Sequence, residues 1–128
     1  MAGCVFCDRI AVGHVAFSGD QAVAFPDAFA LNPGHTLVVP RSHEADLFAL
    51  PRDVRAGVWA LVDVVVEDLR WKHDPDGFNI GLNSSEAAGQ TVPHAHVHVI
   101  PRFRGDVEDP RGGVRWVIPQ RAAYWKRD

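Results

Sequence analysis

No part of this chain stays apolar for the roughly 20 residues that a membrane helix requires. Arg, Asp or Pro interrupts its longest apolar stretches well before that, and the segment MAGCVFCDRI has no basic-then-apolar signal pattern. The expectation is a soluble, cytoplasmic protein with no membrane partner. An excess of positive charge is also missing. Lys and Arg number 13 against 16 Asp and Glu, a formal charge of −3, whereas a general nucleic-acid binder needs a basic face to neutralise phosphates. Nucleic acid is therefore not an expected partner. There is no internal repeat, low-complexity tract or linker-like stretch, so a single domain over residues 1–128 is expected. A glycine-rich phosphate loop of the P-loop or dinucleotide type is absent as well.

What is present suffices for a compact fold, because 47% of the 128 residues are hydrophobic. The charge is uneven. Residues 101–128 hold seven basic and four acidic side chains, and the rest of the chain holds six and twelve. The segment from about residue 103 thus reads as a basic C-terminal extension. It is either a solvated surface or a way of bringing an arginine to a polyphosphate ligand.

The pattern along the chain is that of a small mixed fold. AVAF at 22–25 and HTLVVP at 35–40 read as two strands, since β-branched and aromatic residues suit a pleated surface, and the turn-rich PDAFALNPG joins them. From Pro51 the period changes. Val54, Val58, Leu61, Val62, Val65 and Leu69 recur at threes and fours, as on one face of a helix, until Pro75 and Gly77 end it. Strands resume with FNIGLN at 78–83, continue with the histidine-rich segment after the polar loop SSEAAGQT, and finish with VRWVIP at 114–119. Strands on either side of one main helix predict an α+β domain with a mostly antiparallel sheet.

TVPHAHVHVI, residues 91–100, sets His94, His96 and His98 at alternate positions with Ala95, Val97 and Val99 between and after them. Successive strand residues face opposite sides, so the small apolar residues can meet the helix while the imidazoles face away. A fully exposed face could as well carry Lys, Thr or Glu, so three imidazoles in line point to chemistry. Two readings fit: zinc ligation by three histidines, with an acidic or water ligand completing the set, or a site that handles phosphate. The second draws on more of the chain, namely His35 in NPGH, His43 in RSH, and the hydrogen-bonding loop NSSEAAGQT.

HAHVHVIPR resembles the signature of the histidine triad (HIT) family, and GQTVPHAHVHVIPR is similar in particular to its fragile-histidine-triad branch of dinucleoside polyphosphate hydrolases. CVFC, AFPDAFALNPGHTLVVPRSH and NIGLNSSEAAGQTVPHAHVHVIPR follow in the family's order and separations over about residues 4–102, and GDVEDPRGGVRWVIP resembles the tail of bacterial members. The resemblance implies a HIT-like fold and a nucleotide hydrolase that forms a nucleotidyl-histidine intermediate. A nucleotidyl transferase, or a nucleotide-binding regulatory module with little turnover, is the alternative.

By that resemblance His96 is the nucleophile toward the α-phosphorus, and His35 and His98 donate to phosphate oxygens. Imidazole suits the first role, because at its ordinary pKa near 6.5 roughly three quarters of it is neutral at pH 7. The same resemblance assigns Asn83, Gln90 and Thr91 to phosphate and leaving-group contacts and Asp27 to the ribose hydroxyls. It also assigns Cys4, Cys7, His43 and His94 to a structural zinc, a sound tetrahedral set. His94 then leaves the alternation, and the strand must bend or begin near Pro93. Two reduced, metal-free cysteines are the alternative. A thioredoxin-like role fits less well, because CVFC follows no strand of a βαβ unit, and a cytoplasmic setting argues against a disulfide. No catalytic metal or organic cofactor is expected, and relatives that pair through the helix and the adjoining sheet edge imply a homodimer.

Overall fold

The computed structural model describes residues 3–126. Five strands form one antiparallel sheet in the order β1-β2-β3-β5-β4: β1 (Phe17–Ser18), β2 (Ala22–Pro26), β3 (Thr36–Pro40), β4 (Gly77–Gly81) and β5 (Val97–Arg102). A helix lies on each face. The long one, α2 (Arg52–His73), follows Pro51 and ends where Asp74 turns left-handed ahead of Pro75. Its periodic valines do what their spacing predicts. Val58, Val62 and Val65 are buried with Leu69 against Ala24, Val38, Ala95, Val97 and Val99 of the sheet side, and burying one such side chain is worth about 1.5–3 kcal/mol. The α+β class and antiparallel sheet expected from the sequence are observed.

The opposite face is covered by α1 (Val5–Val12), which the hydropathy pattern did not announce. Cys4 caps its start, with Sγ accepting the Cys7 N–H at 3.4 Å, and Gly13 closes it in the left-handed region. Phe6 packs there with Val23, Phe25, Leu37 and Val39. Both faces of β2 and β3 are therefore buried, which explains why their sequences run apolar instead of alternating.

One strand expectation fails. Residues 114–119 make no sheet pairing; a 3-10 turn spans Gly113–Val117 and a short helix, α3, spans Pro119–Ala122. Gly112 and Gly113 both hold positive φ before the run, and Pro119 supplies the first helical position after it. The coil is tied internally. Arg115 donates to the carbonyls of Arg121 and Ala122, and Trp116 Nε1 to that of Arg111. A short apolar run looks the same in either conformation, and the flanking Gly and Pro decided this one.

Candidate active site and metal centre

β5 enters the sheet only at Val97, and the reason lies in the preceding backbone. Pro93 has no N–H to give, that of His94 turns back to Val92 O at 2.8 Å, and that of Ala95 reaches Glu44 O at 2.7 Å. The segment 94–96 is thus held by the chain beyond β3, not by a strand ladder. Ala95, Val97 and Val99 still enter the α2 core as expected, but His94 and His96 between them are buried as well, so burial alternates only from Val97 on. The three imidazoles, however, do not share a direction. Among the described residues they form no common donor set, so ligation of one metal by the alternating triad is not what the fold builds.

His94 turns toward α1 and is fully buried. Its Nδ1 lies 3.5 Å from Cys4 Sγ and 3.6 Å from Cys7 Sγ, and His43 Nδ1 lies 3.3 Å from Cys7 Sγ. All four donor atoms fall within 4.8 Å of one another. Zinc bound tetrahedrally at about 2.3 Å to sulfur and about 2.0–2.1 Å to nitrogen would hold S and N roughly 3.6 Å apart, so the set already has the spacing zinc demands. The tautomer fits too. His94 Nε2–H donates to Pro40 O at 2.8 Å, leaving Nδ1 as the lone pair aimed at the sulfurs. Burial, and then the neighbouring Cys4, push the Cys7 thiol up, an effect that a bound cation would oppose.

His96 and His98 belong to a second arrangement, whose hydrogen bonds also fix the protons. His96 Nδ1–H donates to the carbonyl of His94 at 2.9 Å, which leaves Nε2 as the free lone pair. On the neighbouring strand Gly34, at φ 89°, turns the chain into His35; a Cβ there would come within 2.9 Å of the His73 ring. The Leu31 N–H then donates to His35 Nδ1 at 3.0 Å, so the proton sits on Nε2, which donates to His98 Nδ1 at 3.0 Å. His98 is left with an Nε2–H. Along the relay, then, His96 offers a lone pair and His98 a proton. This pattern requires neutral rings, and burial, the largest cause, pushes the pKa values of both His35 and His98 down; nearby imidazoles reinforce the effect at His98, and Asp27 opposes it at both. The carboxylate of Asp27 stands 3.4 Å from His35 Nε2 and accepts the Phe29 N–H at 2.8 Å. Asp27, His35 and His98 cluster closely enough to suggest a second metal, but His35 uses both nitrogens in hydrogen bonds and has no lone pair to give.

His96, His98 and Asp27 open onto a cavity of about 500 Å³ that Asn83 and Thr91 also line, a volume within the usual range for small-molecule sites. His35 is buried off that lining with both nitrogens bonded, so it orients His98 and does not reach a phosphate, contrary to expectation. Gln90 lies apart, beside a neighbouring depression. Its amide holds the loop together, donating to the carbonyls of Ala45 and Val92 and accepting the Ser85 N–H. The remaining wall was not foreseen. Val5, Phe6 and Arg9 of α1 line the cavity with Phe25 and Leu37. Val5 and Phe6 lie inside CVFC and Arg9 just beyond it, and the spacing of Val5 and Arg9 by four, one face of a short helix, is the signal that could have found them. None of the basic residues at 102–126 lines this cavity. Arg102 is paired with Asp106 and Arg111 with Asp109.

Residues 11–105 match the family model described as the HIT domain. The chain belongs to the HIT family. A HIT-like protein of Methanocaldococcus jannaschii is 39% identical over 82% of this HIT chain and 83% of its own length. A solved zinc-bound histidine triad family protein of Mycobacterium smegmatis superposes with a TM-score of 0.75 at 33% identity, covering 84% of this chain and 80% of that one. The AP-4-A phosphorylase of Mycobacterium tuberculosis is 35% identical over 84% of this chain but only 56% of its own. Among the described residues no helix is long and apolar enough to cross a membrane.

Proposed function

We propose that this HIT-family chain is a nucleotide hydrolase that cleaves a phosphoanhydride or phosphoramidate bond at the α-phosphate, as the dinucleoside polyphosphate hydrolases of the family do, through a covalent intermediate on His96. The observation that carries this is the bond from His96 Nδ1–H to the His94 carbonyl, which leaves the Nε2 lone pair at the cavity. The lone pair attacks the α-phosphorus. An N–P bond forms as the bond to the leaving oxygen or nitrogen breaks, and the leaving group takes up a proton. Water then attacks the same phosphorus, loses a proton, and displaces the imidazole, releasing a nucleoside monophosphate. The His98 Nε2–H, fixed as a donor by His35, stabilises charge on the phosphoryl oxygens. Asp27 takes the ribose hydroxyls, while Asn83 and Thr91, with Gln90 behind them, bound the phosphate and leaving-group side.

Zinc, held by Cys4, Cys7, His43 and His94, serves structure; the donor spacing and the zinc-bound relative support it. An imidazole nucleophile needs no metal-activated water. A homodimer would cover the free edge of β4 and the exposed Trp59 of α2. A second reading, transfer of the nucleotidyl group to phosphate, draws support from the phosphorylase among the relatives. Turnover of a substrate chiral at an α-phosphorothioate tests the core of the proposal. Two in-line displacements give net retention, whether water or phosphate is the acceptor, and inversion would exclude the covalent route.

A further inference from the structure

The cavity wall contains a cation that the chemistry above does not use. Arg9 is the one permanently charged basic group among the residues lining the cavity, and it makes no ion pair among the described residues. It is nevertheless held in place. Its guanidinium carbon lies 4.3 Å from the centroid of the Phe25 ring, and Nη1 donates to Pro26 O at 3.0 Å. With one N–H committed and the plane fixed against a ring, the remaining donors form a rigid fork.

Its position decides what that fork meets. Ring contacts run outward from His96 to Phe6, 5.1 Å between centroids, and from Phe6 to Phe25, 5.5 Å, with Arg9 beyond. A cation meant for the α-phosphate would stand beside His96 and His98. Arg9 makes no hydrogen bond to either ring and lies instead on Phe25, at the apolar part of the lining formed by Phe6, Phe25 and Leu37, where a flat heterocycle would be buried. Resting on the nucleotide reading, we infer that Arg9 reads the base and that the substrate class is the 6-oxopurine nucleotide. Guanine carries two acceptors, O6 and N7, on one edge and matches the fork bidentately. Adenine sets a donor amine beside N7, so one N–H of Arg9 would face another donor.

The test compares guanosine and adenosine 5′-phosphoramidates of the same amine, by kcat/KM, together with GMP and AMP affinities by calorimetry. The zinc-loaded protein is used as wild type, Arg9→Met and Arg9→Lys. Wild type should favour guanosine about fivefold to hundredfold, the range for one bidentate base contact. Both variants should bring the ratio near one by losing guanosine, with adenosine little changed. Lysine, a point charge without the fork, serves if the methionine variant does not fold. A wild-type ratio at or below one, a ratio unchanged by substitution, or equal losses for both bases, the mark of a phosphate contact or a damaged wall, would overturn the inference. Should the protein turn over neither substrate, the hydrolase reading fails separately, and the GMP-to-AMP affinity ratio still decides the role of Arg9.

Discussion

Two clusters of imidazoles lie on either side of a single carbonyl in this protein and are wired in opposite ways. In the Cys4, Cys7, His43 and His94 cluster every donor atom converges on one point, and the outward nitrogen of His94 is tied to Pro40. In the His35, His96 and His98 cluster the inner nitrogens are consumed by one another and by main chain, and what remains is turned outward to the cavity. The first arrangement is closed and suits a bound cation. The second is open and suits a transient phosphoryl group. The difference comes from the hydrogen bond on the opposite side of each ring, which selects the nitrogen left free, and not from the residue type.

The comparison breaks most sharply at His96. His96→Ala should retain the metal, because that ring is not among the four converging donors, and turnover should fall by about 10⁴ to 10⁶, as when a covalent nucleophile is removed. Steady-state kinetics together with metal analysis checks this, and activity within tenfold of wild type would move the nucleophile elsewhere. The converse substitution, Cys4→Ser with Cys7→Ser, should abolish zinc binding and lower stability by about 3–5 kcal/mol, roughly 10–20 °C in Tm at this chain length. Equal melting of wild type and double variant, with no metal in either, would remove the structural role.

The smallest effect concerns protons. Burial lowers the pKa values of His35 and His98 in the folded state, so below the ordinary imidazole value near 6.5 the unfolded chain binds more protons than the native one. Their contribution to stability is therefore complete above about pH 6.5 and is lost as pH falls from there through the folded-state values. Urea unfolding at a series of pH values should show this slope, and His98→Asn should flatten it. A slope unchanged in that variant would assign it to other groups.

Much of the architecture could be read from patterning. The periodic valines of α2 and the paired apolar strands β2 and β3 stand close to where residue spacing and turn chemistry set them. Ala95, Val97 and Val99 also entered the core as alternation requires. The site was legible in part. The convergence of Cys4 and Cys7 on His94 followed from family resemblance, because a contact across 90 residues leaves no local trace. Alternation alone would have kept His94 beside His96. Helix α1 was hidden for a related reason. Its eight residues carry too little amphipathic signal, and its buried face is defined by the sheet beneath it. The tail was misread because VRWVI fits a strand or a tight coil equally well until Gly112, Gly113 and Pro119 are weighed.

A side-chain acceptor can be erased by a single codon change; a main-chain oxygen cannot. The proton on His96 Nδ1 is held by the peptide carbonyl of residue 94, and that peptide is itself anchored by the Ala95 N–H to Glu44 O. Point mutation can therefore dismantle the Cys4, Cys7, His43 and His94 cluster one residue at a time without deleting the acceptor that orients His96. In evolutionary terms the two clusters are separable despite their contact. A lineage that replaces Cys4, Cys7 and His43 with an apolar plug keeps His96 Nε2 free of that hydrogen bond for as long as the backbone at 94–95 holds its course.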